Sequence, residues 1–186
     1  MTERAILAGF GGQGMMLLGK LYVQAGLESG FHVTFFPSYG AEVRGGTAHC
    51  HVIVHDEPIH SPMVETADTV IVMSQQSYEK FRKRLRPNGL LLVNSSMVEP
   101  DAGVEAEHPA QLVAIPATDL AHELGNVRVA NTVMLGAWCA LRPILKPEAL
   151  LAVLERSLAG AKAHLIEVNR QAFQKGVEQV QAARAR

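Results

Sequence analysis

Apolar residues in this chain alternate between short runs and long periodic stretches, the pattern of strands interleaved with helices. Residues 4–9 read as a buried strand. Across residues 13–29 the apolar positions run almost all round a helix, and the polar exceptions Lys20, Gln24 and Glu28 fall at i, i+4 and i+8. One narrow stripe therefore meets water and the remainder is expected to be buried. Gly30 ends this helix in the C′ position, and His32-Val33-Thr34-Phe35-Phe36 follows as a second strand. The strand–helix–strand order predicts a right-handed parallel crossover, with the second strand beside the first.

Residues 48–55 alternate strictly. Ala48, Cys50, Val52 and Val54 share one face, and His49, His51, Ile53 and His55 the other, so this strand has unlike faces. Asp56-Glu57-Pro58 reads as a turn and residues 59–63 as a short returning strand. Thr69-Val70-Ile71-Val72-Met73 is a central strand, and Ser74 caps a helix expected to run to about Arg86. Pro87-Asn88-Gly89 turns the chain into the buried strand Leu90-Leu91-Leu92-Val93. If all strands run parallel, its end at Asn94-Ser95-Ser96 shares a sheet edge with the end of the first. Residues 99–110 read as surface and 111–115 as an edge strand. Beyond Pro116 the pattern is helical: residues 117–124, 131–141 up to Pro143, a helix opened by Pro147 and Glu148, and 161–179. The last places Leu165, Asn169, Ala172, Phe173 and Gly176 on one face, and residues 181–186 should fray. This is an α/β pattern, and residues 1–186 fit a single domain.

Composition adds exclusions. A content of 48% hydrophobic and 19% charged residues is that of a folded globular chain able to bury a core. With a net charge of −1, nothing steers the molecule globally toward nucleic acid or an anionic membrane. The cluster Lys80, Arg82, Lys83, Arg84 and Arg86 reads as a solvated helix face. Cys50 and Cys139 are far apart in apolar surroundings, too few for the four thiolates of an iron–sulfur cluster, and suit a reducing cytoplasm. No apolar run reaches the ~20 residues of a membrane span, and no signal pattern opens the chain.

Candidate chemistry concentrates in two stretches. Gly9-Phe10-Gly11-Gly12-Gln13-Gly14 is a Rossmann-like glycine turn between the first strand and its helix, where free backbone N–H groups can face an anion. The second strand ends in Phe36-Pro37-Ser38 with no acid to hold ribose hydroxyls, and no Lys-Ser/Thr pair follows the turn. Neither a dinucleotide dehydrogenase nor a P-loop NTPase fits. Gln13 either offers its amide to a ligand or partner, or caps its own turn. The second stretch, Pro37-Ser38-Tyr39-Gly40-Ala41-Glu42-Val43-Arg44-Gly45-Gly46-Thr47, has no period and sits at a strand's C-terminal end, where α/β sheets bind ligands. Its plain alternative is a surface connection, and Glu42 and Arg44 could pair with each other. His49, His51 and His55 project together without a carboxylate or cysteine to complete a metal set, so packing on a partner or facing solvent is the favoured reading.

These two stretches closely resemble signature segments of the γ subunit of 2-oxoacid:ferredoxin oxidoreductases. Further landmarks agree in order: Ile115-Pro116-Ala117-Thr118, Leu124-Gly125-Asn126, Asn131-Thr132-Val133-Met134-Leu135-Gly136, and Asn169-Arg170-Gln171-Ala172-Phe173-Gln174-Lys175-Gly176. The Ser-Tyr-Gly opening and Arg-Gly-Gly close of the second loop look most like the 2-oxoglutarate type. The resemblance implies a three-layer α/β/α sandwich with a mostly parallel, mixed sheet. It also implies a non-autonomous cytoplasmic subunit of an enzyme that oxidatively decarboxylates a 2-oxoacid to an acyl-CoA and reduces ferredoxin. Thiamine diphosphate and the iron–sulfur clusters would lie on the α, β and δ partners. This chain would contribute coenzyme A binding and assembly through Gly11, Gly12, Gln13, Gly14, Ser38, Tyr39, Arg44, Gly45 and Gly46, with no catalytic or metal-binding residue of its own. Nucleic acid and membrane are not expected partners, and the isolated chain could self-associate. The competing readings are a free-standing nucleotide-binding module and a pure scaffold.

Overall fold

The computed structural model describes residues 1–39, 47–101 and 111–184. Six strands form one sheet: β1 (Thr2–Phe10), β2 (His32–Tyr39), β3 (Thr47–His55), β4 (Ala67–Val72), β5 (Leu85–Asn94) and β6 (Gln111–Ile115). Their spatial order is β2-β3-β1-β4-β5-β6. The pairs β1/β4, β4/β5 and β5/β6 are parallel, while β3 runs antiparallel to both β1 and β2. Five strands thus point one way and β3 alone opposes them. The second strand runs parallel to the first as predicted but is not its neighbour, because β3 returns between them. The alternation of residues 48–55 marks a strand with unlike faces but does not give its place in the sheet.

The described helices are α1 (Met15–Glu28), α2 (Gln75–Phe81), α3 (Ala117–Glu123), α4 (Ala130–Leu141), α5 (Pro147–Ser157) and α6 (Ile166–Arg184). One face of the sheet, with Ala5, Leu7, Cys50, Val52, Ile71 and Leu92, packs against α1, α3, α4, α5 and α6. The other, with Ile6, Ala8, Ile53, Val70 and Leu91, is covered by Tyr78 and Phe81 of α2 and by Val64 and Val98. Three layers result, the second helical layer being thin.

Several local expectations need correction. Residues 59–63 form no strand. Pro87-Asn88-Gly89 lies inside β5, with Asn88 absorbing the irregularity at a φ of 62°. α2 stops at Phe81 and passes through a 3₁₀ turn at Arg82–Arg84, and residues 160–165 are likewise 3₁₀. α6 continues to Arg184 instead of fraying at 181. On α1 the solvent face is wider than one stripe, since Leu17 and Leu27 are 45% and 57% exposed. The basic residues after α2 are not a free solvated face: Arg86 pairs with Asp68, Arg82 with Asp101, and Arg84 donates to the carbonyls of Val64 and Glu65.

Two contacts tie the C-terminal helices to β1 and to α1. Glu3 of β1 is fully buried; its carboxylate accepts from Trp138 Nε1 at 3.2 Å and Arg142 Nε at 3.1 Å. Burial pushes the Glu3 carboxyl above its usual range, against the pull of those donors. Trp138 also stacks on Tyr22 of α1, with ring centroids 3.7 Å apart.

Candidate functional site

The C-terminal ends of β1, β2, β4, β5 and β6 share one sheet edge, and β3 begins there. Gly9 pairs with Ala48 and Ala48 with Tyr39, so the two predicted stretches stand two strand spacings apart, about 10 Å, on the same edge. Pro37, Ser38 and Tyr39 belong to β2 itself, the loop beginning later than the sequence suggests. Arg44, Gly45, Gly46 and Glu42 lie outside the described residues.

The glycine turn is built from its neighbours. Phe10 N–H donates to Gln13 Oε1 at 2.9 Å, Gln13 N–H returns to Phe10 O at 3.2 Å, and Gln13 Nε2 donates to Met73 O at 2.9 Å. The Gln13 amide therefore closes its own turn and fastens it to the end of β4, leaving one N–H of Nε2 without a role in the turn. Glycine at position 9 makes room for this: a Cβ there would sit 2.5 Å from Gln13 Oε1. Gly14 caps α1 with a φ of 77°, and a Cβ on it would come within 2.4 Å of Asn131 Nδ2. Asn131 Nδ2 donates to Gly14 O at 3.3 Å, which also accepts from Leu18 N–H at 2.9 Å. Gly11 and Gly12 differ from these two. No atom lies within 4 Å of a Cβ built on either, and both residues are exposed. They are the part of the turn that a ligand can reach.

Beside them opens a cleft of about 330 Å³ between the turn, the ends of β4 and β5, and the starts of α3 and α4. Phe10, Met73, Met97, Val127 and Ala130 give it apolar walls, and Thr118 and Arg128 bring side-chain polarity beyond Gln13. Among the described residues, no carboxylate lines it. Asn94 shapes one wall: its Nδ2 donates to Thr118 Oγ1 at 2.8 Å and its Oδ1 accepts from Thr118 N–H at 3.3 Å. Phe10, Leu17, Met97 and Val127, each 39–47% exposed, stand near this end of the molecule.

Sequence reasoning missed Thr118, Asn131 and Arg128 as parts of one site. For Arg128 a signal exists, because a cation just before a helix start opposes the helix dipole, which favours negative charge there. For Asn131 none does, since its partner is 117 residues away.

The histidine face is not turned to solvent: its three imidazoles are buried or half-buried. Among the described residues no group of three potential metal ligands occurs. His51 is buried and accepts from Val64 N–H at 3.1 Å through Nδ1, and His49 packs on Phe81 at 4.6 Å. Burial, with Arg84 nearby, pushes His51 down to about 4, and burial likewise lowers His49. Lys80 Nζ donates to Thr47 Oγ1 at 3.0 Å, fixing the start of β3.

Residues 4–179 match the family model described as pyruvate ferredoxin/flavodoxin oxidoreductase. The chain belongs to that family. Family members similar to it include the 2-oxoglutarate synthase subunit KorC of Methanocaldococcus jannaschii, 35% identical over 96% of this chain and 94% of that protein. The ketoisovalerate oxidoreductase subunit VorA of Methanothermobacter thermautotrophicus is 34% identical over 94% of this chain, which spans only 36% of VorA's length. Two solved structures of the family share the fold. The keto/oxoacid ferredoxin oxidoreductase γ subunit of Geobacter sulfurreducens superposes with a TM-score of 0.79 at 29% identity, covering 97% and 99% of the two chains. A 2-oxoglutarate:ferredoxin oxidoreductase of Magnetococcus marinus, solved with 2-oxoglutarate, coenzyme A and succinyl-CoA, gives 0.88 at 25% identity; the match covers 97% of this chain and 31% of that one. Among the described residues of the present family member, no helix is long and apolar enough to cross a membrane.

Proposed function

We propose that this chain is the γ subunit of a cytoplasmic 2-oxoacid:ferredoxin oxidoreductase, of the 2-oxoglutarate type, and that it receives coenzyme A at the glycine turn. The observation that carries the reading is the open pair Gly11–Gly12, beside a cleft lined by no carboxylate among the described residues, at the sheet edge where β2 also ends. Gly11 and Gly12 approach the ligand with backbone, while Gly14 caps α1 behind them and Gln13 holds the turn in shape and has one N–H to add. To Ser38, Tyr39, Arg44, Gly45 and Gly46 we assign the ligand's remaining contacts, Arg44 for its guanidinium, which suits phosphate oxygens.

The electron chemistry lies on the α, β and δ partners: thiamine diphosphate supplies the carbanion for decarboxylation, and iron–sulfur clusters carry electrons to ferredoxin. The cysteines of this chain do not fit a cluster. Burial raises the Cys50 and Cys139 thiols to about 12 and about 11, away from the thiolate that ligation needs. The exposed apolar residues Phe10, Leu17, Met97 and Val127 give partners a surface, and an isolated chain is expected to self-associate through it.

Gly11→Val tests the reading. Its Cβ has open space and Gly11 is not among the glycines of positive φ, so folding should be unaffected, with stability within about 0.5 kcal/mol. The branched side chain would fill the ligand's approach. In the assembled enzyme the KM for coenzyme A should rise while the KM for the 2-oxoacid holds. An unaltered KM for coenzyme A would remove the binding role.

A further inference from the structure

We propose that Arg128 is the charge-selecting residue of the cleft, pairing with a phosphate group of the acyl acceptor. The inference rests on the coenzyme A reading above and assigns within it a residue on the opposite side of the turn from the end of β2 and the start of β3.

Four observations carry it. Arg128 lines the same cleft as Gly11 and Gly12, and among the described lining residues it supplies the only formal charge. No carboxylate among the described residues pairs with it, whereas Arg4, Arg82, Arg86, Arg142, Arg156 and Arg170 all have acidic partners. Its backbone is fixed: Arg128 N–H donates to Asn126 Oδ1 at 3.1 Å within a 3₁₀ turn, directly before the buried helix α4. The side chain is thus tethered at its base, and the residue is exposed. Finally, the rest of the described lining is mostly apolar, with Gln13 and Thr118 as its neutral polar members. A solvated cation beside such a lining costs little and gains most by meeting an anion of the ligand. A planar guanidinium offers two parallel N–H bonds to phosphate oxygens, which a lysine cannot reproduce.

Coenzyme A carries two phosphate sources, the diphosphate and the 3′-phosphate, and the chemistry at Arg128 is the same for both. In the assembled enzyme, Arg128→Gln should raise the KM for coenzyme A on the order of tenfold, as loss of a charged hydrogen-bonded pair does, with the KM for the 2-oxoacid unchanged. Arg128→Lys should recover part of the loss. With 3′-dephospho-coenzyme A as acceptor, a vanished difference between wild type and Arg128→Gln assigns the contact to the 3′-phosphate; a persisting one assigns it to the diphosphate. As a readout independent of turnover, inorganic pyrophosphate or phosphate should raise the melting temperature of the full chain more than that of Arg128→Gln.

An Arg128→Gln enzyme with wild-type KM for coenzyme A overturns the proposal. If Gly11→Val still raises that KM, the coenzyme A reading stands and only the assignment to Arg128 fails. If both variants are silent, the reading itself fails.

Discussion

At Gln13 and Gly14 a few ångströms decide the conformation of the whole turn. Gln13→Ala would strand Phe10 N–H and Met73 O at once, and each lost bond of this kind costs about 1 kcal/mol, more where water cannot enter. Gly14→Ala combines a left-handed backbone with an approach to Asn131 Nδ2 of 2.4 Å. It is expected to cost roughly 2 kcal/mol by urea unfolding, about half of that from backbone strain alone. A Gly14→Ala chain as stable as wild type would mean that the turn is not held from behind by α4. The glycines were legible in the sequence as a turn, since no other residue type tolerates that density of unusual backbone. The partners that fix it were not, because Met73 and Asn131 are 60 and 117 residues distant.

Among the elements, the crossing of α4 and α6 explains two of the sequence landmarks. A Cβ on Gly136 would lie 2.0 Å from Phe173 O, and one on Gly176 1.9 Å from Val133 O. Both neighbours are backbone and cannot step aside. Thr132 Oγ1 donates to Asn169 Oδ1 at 2.7 Å, and Asn169 Nδ2 donates to Leu165 O at 2.9 Å, so the polar groups of this contact are satisfied across it. Gly136→Ala or Gly176→Ala should therefore destabilise the chain by about 3 kcal/mol, the upper range for overpacking. Denaturant unfolding checks this, and a loss under about 1 kcal/mol would show that the helices can separate cheaply. The apolar face of α6 was legible from its period. Its closeness to α4 was visible only as resemblance, because glycine in a helix can mean either a weak position or a tight crossing. Strand existence was likewise readable, whereas strand order was not. Placing β3 between β1 and β2 is a long-range pairing that local periodicity does not encode, and Pro87-Asn88-Gly89 falls in the irregularity where the pairing of β5 with β4 jumps from Leu85 to Leu90.

For the whole molecule, acid sensitivity follows from His51. An unfolded histidine titrates near 6.5, and burial holds the folded one down to about 4. The folded state thus favours the neutral ring. That contribution is fully present above pH 6.5 and is lost as pH falls toward 4, amounting to roughly 2 kcal/mol between pH 7 and pH 5. The groups facing this ring are Arg84, His49, Phe36 and the Val64 amide, none of them an acid that would stabilise an imidazolium. His51→Gln, which keeps an acceptor for Val64 N–H, should remove most of the difference; an unchanged pH slope would place the acid sensitivity elsewhere.

The same large-scale organisation brings the glycine turn, the end of β2 and the start of α4 to one edge, and the account of function depends on that edge meeting coenzyme A. Hydrogen exchange on the assembled oxidoreductase, with and without coenzyme A, tests this most directly. The account predicts slowed exchange in peptides covering residues 10–17 and 125–130. Saturating coenzyme A that supports turnover yet leaves exchange in both segments unchanged would contradict it.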